Sequence, residues 1–136
     1  MQSLEKFSAD ARRRIKAVFC DIDDTLTTGG RLTTEAYAAL EHLQDTGFLV
    51  FPITGRPAGW CDHIARMWPV DAVVGANGAF SFRYDHETRT FPTRFLASAA
   101  ARADTRPRLA RPPAQLLKRV HRTGLASHPP YRHPPP

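Results

Sequence analysis

The sequence predicts an α/β chain: a partial Rossmann-like parallel sheet, then a hairpin, then a Pro/Arg-rich tail expected to be disordered. Three observations predict it. Apolar runs at 17–22, 48–53 and 71–76 alternate with helical patterns at 33–47 and 59–68, the order that builds a parallel sheet with right-handed crossovers. Residues 79–92 switch to alternation of apolar and polar side chains, the period of a half-buried hairpin. After about Arg94 the periodicity decays, and eight of the twelve prolines lie between Pro107 and Pro136.

Residues 4–14 read as a short polar helix. The run AVFCDI (17–22) reads as a buried strand ending at Asp21, with Cys20 as a small core residue. TTGGR (27–31) is a turn-rich link. In 33–47, Thr33 or Thr34 caps a helix whose Ala36, Leu40 and Leu43 keep helical spacing, and Gly47 closes it. FLVFPI (48–53) is a second buried strand, followed by Thr54. Pro57 suits the first turn of a helix, and 59–68 places Trp60, Ile64 and Met67 or Trp68 on one face. DAVVGA (71–76) is the third strand. In 79–92, Phe80, Phe82 and Tyr84 alternate with Ser81 and Arg83, DHET turns the chain, and RTF returns. Residues 97–103 are compatible with a helix, and 114–121 with a short amphipathic one. The final SHPPYRHPPP cannot form regular structure.

Charge divides the 136 residues unevenly. Residues 1–93 carry ten Lys/Arg against twelve Asp/Glu, whereas 94–136 carry nine against one, Asp104, so the net charge of +6 belongs to the tail. A basic tail can bind nucleic acid or anionic lipid. Tyr131 is the sole aromatic after Phe95, which argues against base stacking and for a solvated segment. Cys20 and Cys61 make no metal or redox spacing, so a reduced, cytoplasmic setting is expected. No stretch is long and apolar enough to cross a membrane, and no apolar run follows the basic start as a signal peptide would require.

The chemistry concentrates at Asp21-Ile22-Asp23-Asp24-Thr25, directly after the first strand. In open parallel sheets ligands bind beyond the C-terminal strand ends, so Asp21 would project into a cleft, with Asp23 two residues on. Two carboxylates there can divide labour, one attacking and the other handling protons. FPITGR (51–56) repeats the strand-then-polar-turn arrangement. It would set Thr54 beside Asp21, where its hydroxyl and the Gly55 amide can donate to a phosphate oxygen. Arg56 either contacts an anion or pairs with an acid. No GxxxxGK[ST] or GxGxxG is present. Cys61 and His63, two apart on a helix, are poor joint ligands.

VFCDIDDTLT, followed about thirty residues later by PITGRP, resembles the haloacid dehalogenase-like superfamily of phosphatases. GANGAF (75–80) resembles the segment after the third strand in its sugar-phosphatase branch, the branch of the sucrose-, trehalose- and mannosyl-phosphoglycerate phosphatases. The resemblance covers roughly 16–92. It implies that Asp21 is the nucleophile, Asp23 the general acid/base and Thr54 a phosphate ligand. It also implies that Mg²⁺ is held by the Asp21 carboxylate and the Asp23 carbonyl. Asn77 either lies near the substrate, as in that branch, or is a turn residue before Gly78.

The pattern then stops. The family requires a distant lysine and later aspartates to complete the magnesium site. Here the only lysine after Lys16 is Lys118, and no acid follows Asp104. The expectation is a truncated product with three parts: 1–78 as the N-terminal part of the core, 79–104 as the start of a cap domain, and 105–136 as the basic Pro-rich tail. The expected function is Mg²⁺-dependent hydrolysis of a small-molecule phosphomonoester, such as a sugar phosphate, through an aspartyl-phosphate. The alternatives are an impaired phosphate-binding remnant and a phosphotransferase or sugar phosphomutase of the same superfamily.

Overall fold

The computed structural model describes residues 3–105, 107 and 108. Within the expected disordered tail, 105–136, residues 105, 107 and 108 are described and are helical; the rest of it, with the helix expected at 114–121, lies outside the described residues.

The chain is an α/β fold with a mixed, largely parallel sheet. A short turn at Leu4–Lys6 precedes α1 (Ala9–Arg14). The single helix expected over 4–14 is therefore broken, because Ser8 caps α1 by accepting the Ala11 N–H, a role that requires extended backbone at the cap. Strand β1 (Ala17–Asp21) leads into a wide, kinked turn at Ile22–Leu26. The link at 27–31 proves to be a small hairpin of β2 (Thr27–Thr28) and β3 (Arg31–Leu32). Gly29 and Gly30 turn it with positive φ, the conformation a two-residue hairpin loop requires.

Helix α2 (Thr34–Asp45) is capped by Thr33, whose hydroxyl accepts the Ala36 N–H, and Gly47 follows at φ +85°, both as expected. Strand β4 (Leu49–Ile53), helix α3 (Ala58–Met67) and strand β5 (Val73–Gly75) follow. Pro57 is the N-cap of α3, one position before the first turn. Strand β6 is Phe80–Phe82, DHET turns the chain and RTF returns as expected, with Thr90 bridged to Asp85 and the Arg83 N–H donating to the Pro92 carbonyl, before β7 (Thr93–Phe95) continues the return. The Asp85 carboxylate accepts the Glu87 and Thr88 N–H groups, building the turn from a side chain.

The strand order is β1-β4-β5-β6-β7. β1 pairs in parallel with β4 from Ala17↔Leu49 to Asp21↔Ile53, and β4 with β5 at Ile53↔Val74. β6 and β7 add antiparallel, so β5 and β6, on either side of the division expected at residue 78, are adjacent strands of one sheet. Residues 99–105 are helical, led by Ser98, whose hydroxyl accepts the Ala101 N–H.

The core gathers Ile22, Cys61, Ile64, Ala65, Val73, Phe80, Phe82 and Phe91. The buried face of α3 is thus Cys61, Ile64 and Ala65; of the expected Trp60, Ile64 and Met67 or Trp68, Ile64 is buried and Trp68 packs partly buried against the core. Trp60 is 53% and Met67 62% exposed. Helical spacing alone leaves the phase of the stripe open, and here the small residues Cys61 and Ala65 let α3 approach the sheet.

The sheet is also less enclosed than its apolar runs predicted. Val50 and Pro52 are buried, but Leu49 is 46%, Ile53 38% and Phe19 63% exposed. Strand alternation puts Leu49, Phe51 and Ile53 on one face, and the register places Phe19 beside Phe51, their rings stacked 5.0 Å apart. Cys20 is half-buried rather than enclosed in the core. Among the described residues, β1 is the edge strand of this sheet.

Candidate functional site

Because β1 and β4 run in parallel and end in register at Asp21 and Ile53, Asp21 and Thr54 emerge at the same end of the sheet. Just beyond Asp21 the chain turns sharply. Asp23 keeps extended backbone, and Asp24 takes φ +58°, a left-handed conformation that a short polar side chain tolerates better than most. Thr27 anchors the far side of this turn, its hydroxyl donating to the Ile22 carbonyl at 3.0 Å.

Thr54 is only 2% exposed and is held on three sides. Its N–H donates to the Val74 carbonyl at 2.9 Å, its carbonyl accepts the Asn77 N–H at 3.1 Å, and its Oγ1 accepts the Arg56 N–H at 3.1 Å. A hydroxyl that accepts with its oxygen still has a hydrogen to donate. Gly55 lies beside Asn77. A Cβ at Gly55 would sit 3.2 Å from Asn77 Oδ1, so the Asn77 amide spans the space that a side chain would fill. Ala76, Asn77 and Gly78 run in succession at φ +47°, +54° and +99°. Glycine and asparagine adopt such backbone readily, whereas alanine does so at a cost of about 1–2 kcal/mol. The Ala76 N–H is tied to the Arg56 carbonyl at 3.1 Å, which fixes this turn against the 54–56 segment.

Arg56 resolves the choice left open in the sequence by pairing with an acid. Its Nε donates to Asp23 Oδ2 at 3.1 Å and its Nη2 to Oδ1 at 2.5 Å, a two-pronged match of planar fork to carboxylate. These hydrogen bonds hold the Asp23 carboxyl below its ordinary value and push Arg56 up. The guanidinium also lies over the Trp60 ring, 4.4 Å from its centroid. Sequence reasoning assigned Trp60 to helix packing. The available signal was its position four residues after Arg56, where side chains at a helix start become neighbours. Cys61 donates its thiol to the Arg56 carbonyl at 3.6 Å, and burial raises that thiol to about 11. Burial, and then the Asp21 charge, also raise the Cys20 thiol.

The turns after β1, β4 and β5 therefore converge. Asp23 is joined to Arg56, Arg56 to Thr54, and Asn77 to Gly55, while Asp21 ends β1 beside the last residue of β4. The oxygens of Asp21 and Asp23 suit a hard cation in kind, since Mg²⁺ takes oxygen ligands in octahedral array. In number they are few. Among the described residues no three His, Cys, Asp or Glu side chains come together as a metal cluster.

A family model described as haloacid dehalogenase-like hydrolase matches residues 18–103. No curated protein sequence matches the chain. Among solved structures, a phosphatase of the haloalkanoate (HAD) enzyme superfamily from Bacteroides thetaiotaomicron aligns with a TM-score of 0.53 at 24% identity, covering 80% of this chain and 40% of its own. A HAD subclass IIB sugar phosphatase aligns at 32% identity and TM-score 0.43 over 50% of this chain and 28% of that one. A haloacid dehalogenase-like hydrolase, also from Bacteroides thetaiotaomicron, aligns at 19% identity and TM-score 0.48 over 58% and 31%. The alignment with the first shows a shared fold. The chain spans 28% to 40% of the length of these three structures.

Proposed function

From a chain that belongs to the haloacid dehalogenase-like hydrolase family, we propose that these turns form the phosphate-handling half of a Mg²⁺-dependent phosphomonoester hydrolase acting on a small molecule, with a sugar phosphate as the substrate class. The observation that carries this reading is the convergence of the Asp21, Thr54–Arg56 and Asn77 turns at one end of the parallel strands.

On this reading an Asp21 carboxylate oxygen attacks phosphorus. The new O–P bond forms as the ester O–P bond breaks, and the departing alkoxide oxygen takes a proton from Asp23. Water then attacks the same phosphorus, giving its proton to Asp23, and the Asp21–phosphorus bond breaks to release inorganic phosphate. The Thr54 hydroxyl and the Gly55 N–H hold the phosphate oxygens, and Asn77 lies over Gly55 at the substrate side. The Asp21 carboxylate and the Asp23 carbonyl would hold Mg²⁺, which supplies charge neutralisation of the transferring group.

The cap normally contributed by the rest of such a fold would begin in the 79–104 segment. The substrate side of the assignment draws on the branch-like GANGAF segment and on the sugar phosphatase with which the chain aligns. A second reading is a phosphate-binding piece with little turnover, in which the oxygen donors at Asp21 and Asp23 are few for an octahedral Mg²⁺ shell. Assays of the purified chain on a generic phosphomonoester and on several sugar phosphates, with and without Mg²⁺, separate the two. The hydrolase reading expects metal-dependent phosphate release that Asp21→Asn abolishes, since an amide is no nucleophile here. Equal release by wild type and Asp21→Asn would remove Asp21 from the mechanism.

A further inference from the structure

Arg56 holds one anion, Asp23, and belongs to the turn assigned above to a second, the phosphate, which the same edge of its guanidinium cannot hold at the same time. Its guanidinium spans the Asp23 carboxylate through Nε and Nη2, while its backbone N–H rests on Thr54 Oγ1, the hydroxyl assigned above to phosphate. Its side chain is 21% exposed, against 52% for Asp23, so the carboxylate is the more open member of the pair. A guanidinium presents the same fork to a phosphate as to a carboxylate. Both Asp23 oxygens accept from Arg56, whereas a carboxyl that gives a proton to a leaving group must first carry that proton on one of the same two oxygens. The proton traffic assigned to Asp23 and the bidentate pair are therefore successive states.

Resting on the phosphate-site reading, we propose that Arg56 is a positioning residue that exchanges partners. In the free protein it holds the Asp23 carboxylate, and a phosphate group arriving at Thr54 and Gly55 draws it off and so releases Asp23 into the site. Trp60 makes the exchange feasible. Stacking of a guanidinium on an indole is attractive over a broad area of the ring, so the 4.4 Å contact keeps the cation at the site without fixing which anion its edge meets. The backbone of Arg56 stays in place throughout, secured by Thr54 Oγ1 on one side and by the Ala76 N–H and Cys61 thiol at its carbonyl.

The test titrates inorganic phosphate into the full chain, without metal, and follows calorimetric heat and tryptophan emission together. Emission should shift with the same saturation curve as the heat. The shift should vanish in Trp60→Phe, which leaves Trp68 as reporter, and in Arg56→Gln. It should survive, reduced, in Arg56→Lys, which keeps the charge without the fork. Asp23→Asn should tighten phosphate binding about two- to fivefold, the scale of releasing an exposed ion pair, and should do nothing in an Arg56→Gln background. Circular dichroism checks that each variant folds. An equal gain from Asp23→Asn in both backgrounds would mean simple charge repulsion and overturn the exchange. Phosphate binding with unchanged Trp60 emission would overturn the exchange while leaving the phosphate site standing. No phosphate binding by the wild type would overturn both.

Discussion

Gly75→Ala tests whether the turn carrying Asn77 is seated as closely as the site requires. A methyl group built on Gly75 falls 2.3 Å from Phe80 Cζ, 2.5 Å from Cε2 of the same ring and 2.7 Å from Cys61 Sγ. Ordinary carbon contacts lie at about 3.5–4.0 Å, so three contacts are each short by roughly an ångström. Phe80 cannot simply withdraw, because its ring packs at 4.5 Å against Phe82 and at 6.4 Å against Phe95. Cys61 is fully buried in α3. Overpacking of this kind typically costs about 1–3 kcal/mol, occasionally more, and the rigidity on both sides points to the upper end. For a domain of this size that lowers the thermal midpoint by about 10 °C or more. Gly55→Ala is the control, since its methyl meets only the movable end of Asn77 at 3.2 Å; the fold should survive, with weakened phosphate binding. Thermal unfolding followed by far-ultraviolet circular dichroism measures both. A Gly75→Ala midpoint within about 2 °C of wild type, a shift equivalent to well under 1 kcal/mol, would refute the close packing of α3, β5 and β6 on which the placement of Asn77 depends.

Three further outcomes are expected. The Cys61 thiol is raised from 9.0 to about 11 by burial, so folding favours its protonated form and stability should fall as pH rises from about 9 towards 11; urea midpoints measured across that range should lose this slope in Cys61→Ala. Phe19→Ser should reduce self-association measured by sedimentation velocity, because Phe19, Leu49 and Ile53 expose one contiguous apolar face beside an open strand edge, and equal association of both proteins would point to another surface. Calorimetric titration of the chain with Mg²⁺ alone should not saturate at about 1 mM, since the two oxygen donors at Asp21 and Asp23 leave most of an octahedral shell to water; a submillimolar site would show that further ligands are present.

Much of the architecture was legible because it rests on short-range rules. The parallel strands, the Thr33 cap and the Gly47 stop follow from apolar runs and terminal chemistry that act within a few residues. The errors arose where packing chose among locally equal options. A helical stripe containing Trp60, Ile64 and Met67 or Trp68 fits the period as well as Cys61, Ile64 and Ala65, and the closeness of the sheet at Gly75 selects the smaller set. The 27–31 segment contains its hairpin signal in Gly29-Gly30, but two-residue strands carry no alternation to read. The exposure of Phe19 was hidden for a different reason: an apolar run implies that a face can be buried, not that something covers it.

The site divides along the same line. Asp21 and Thr54 were legible because each follows its own strand, and parallel pairing in register brings the two strand ends together without help from any side chain. Asn77 over Gly55 was half legible, since a GANG turn announces left-handed backbone but not what the turn leans on. The Asp23–Arg56–Trp60 stack was not legible as a unit. Asp23 and Arg56 are 33 residues apart, and the ion pair depends on a χ-angle choice by a long side chain that offers equally good geometry to a ligand. The missing information lies in competition. A cation takes the strongest anion within reach, and here that anion is the Asp23 carboxylate, to which proton transfer is assigned. A residue that a sequence motif presents as one binding group is therefore, on the exchange proposed above, divided between two partners.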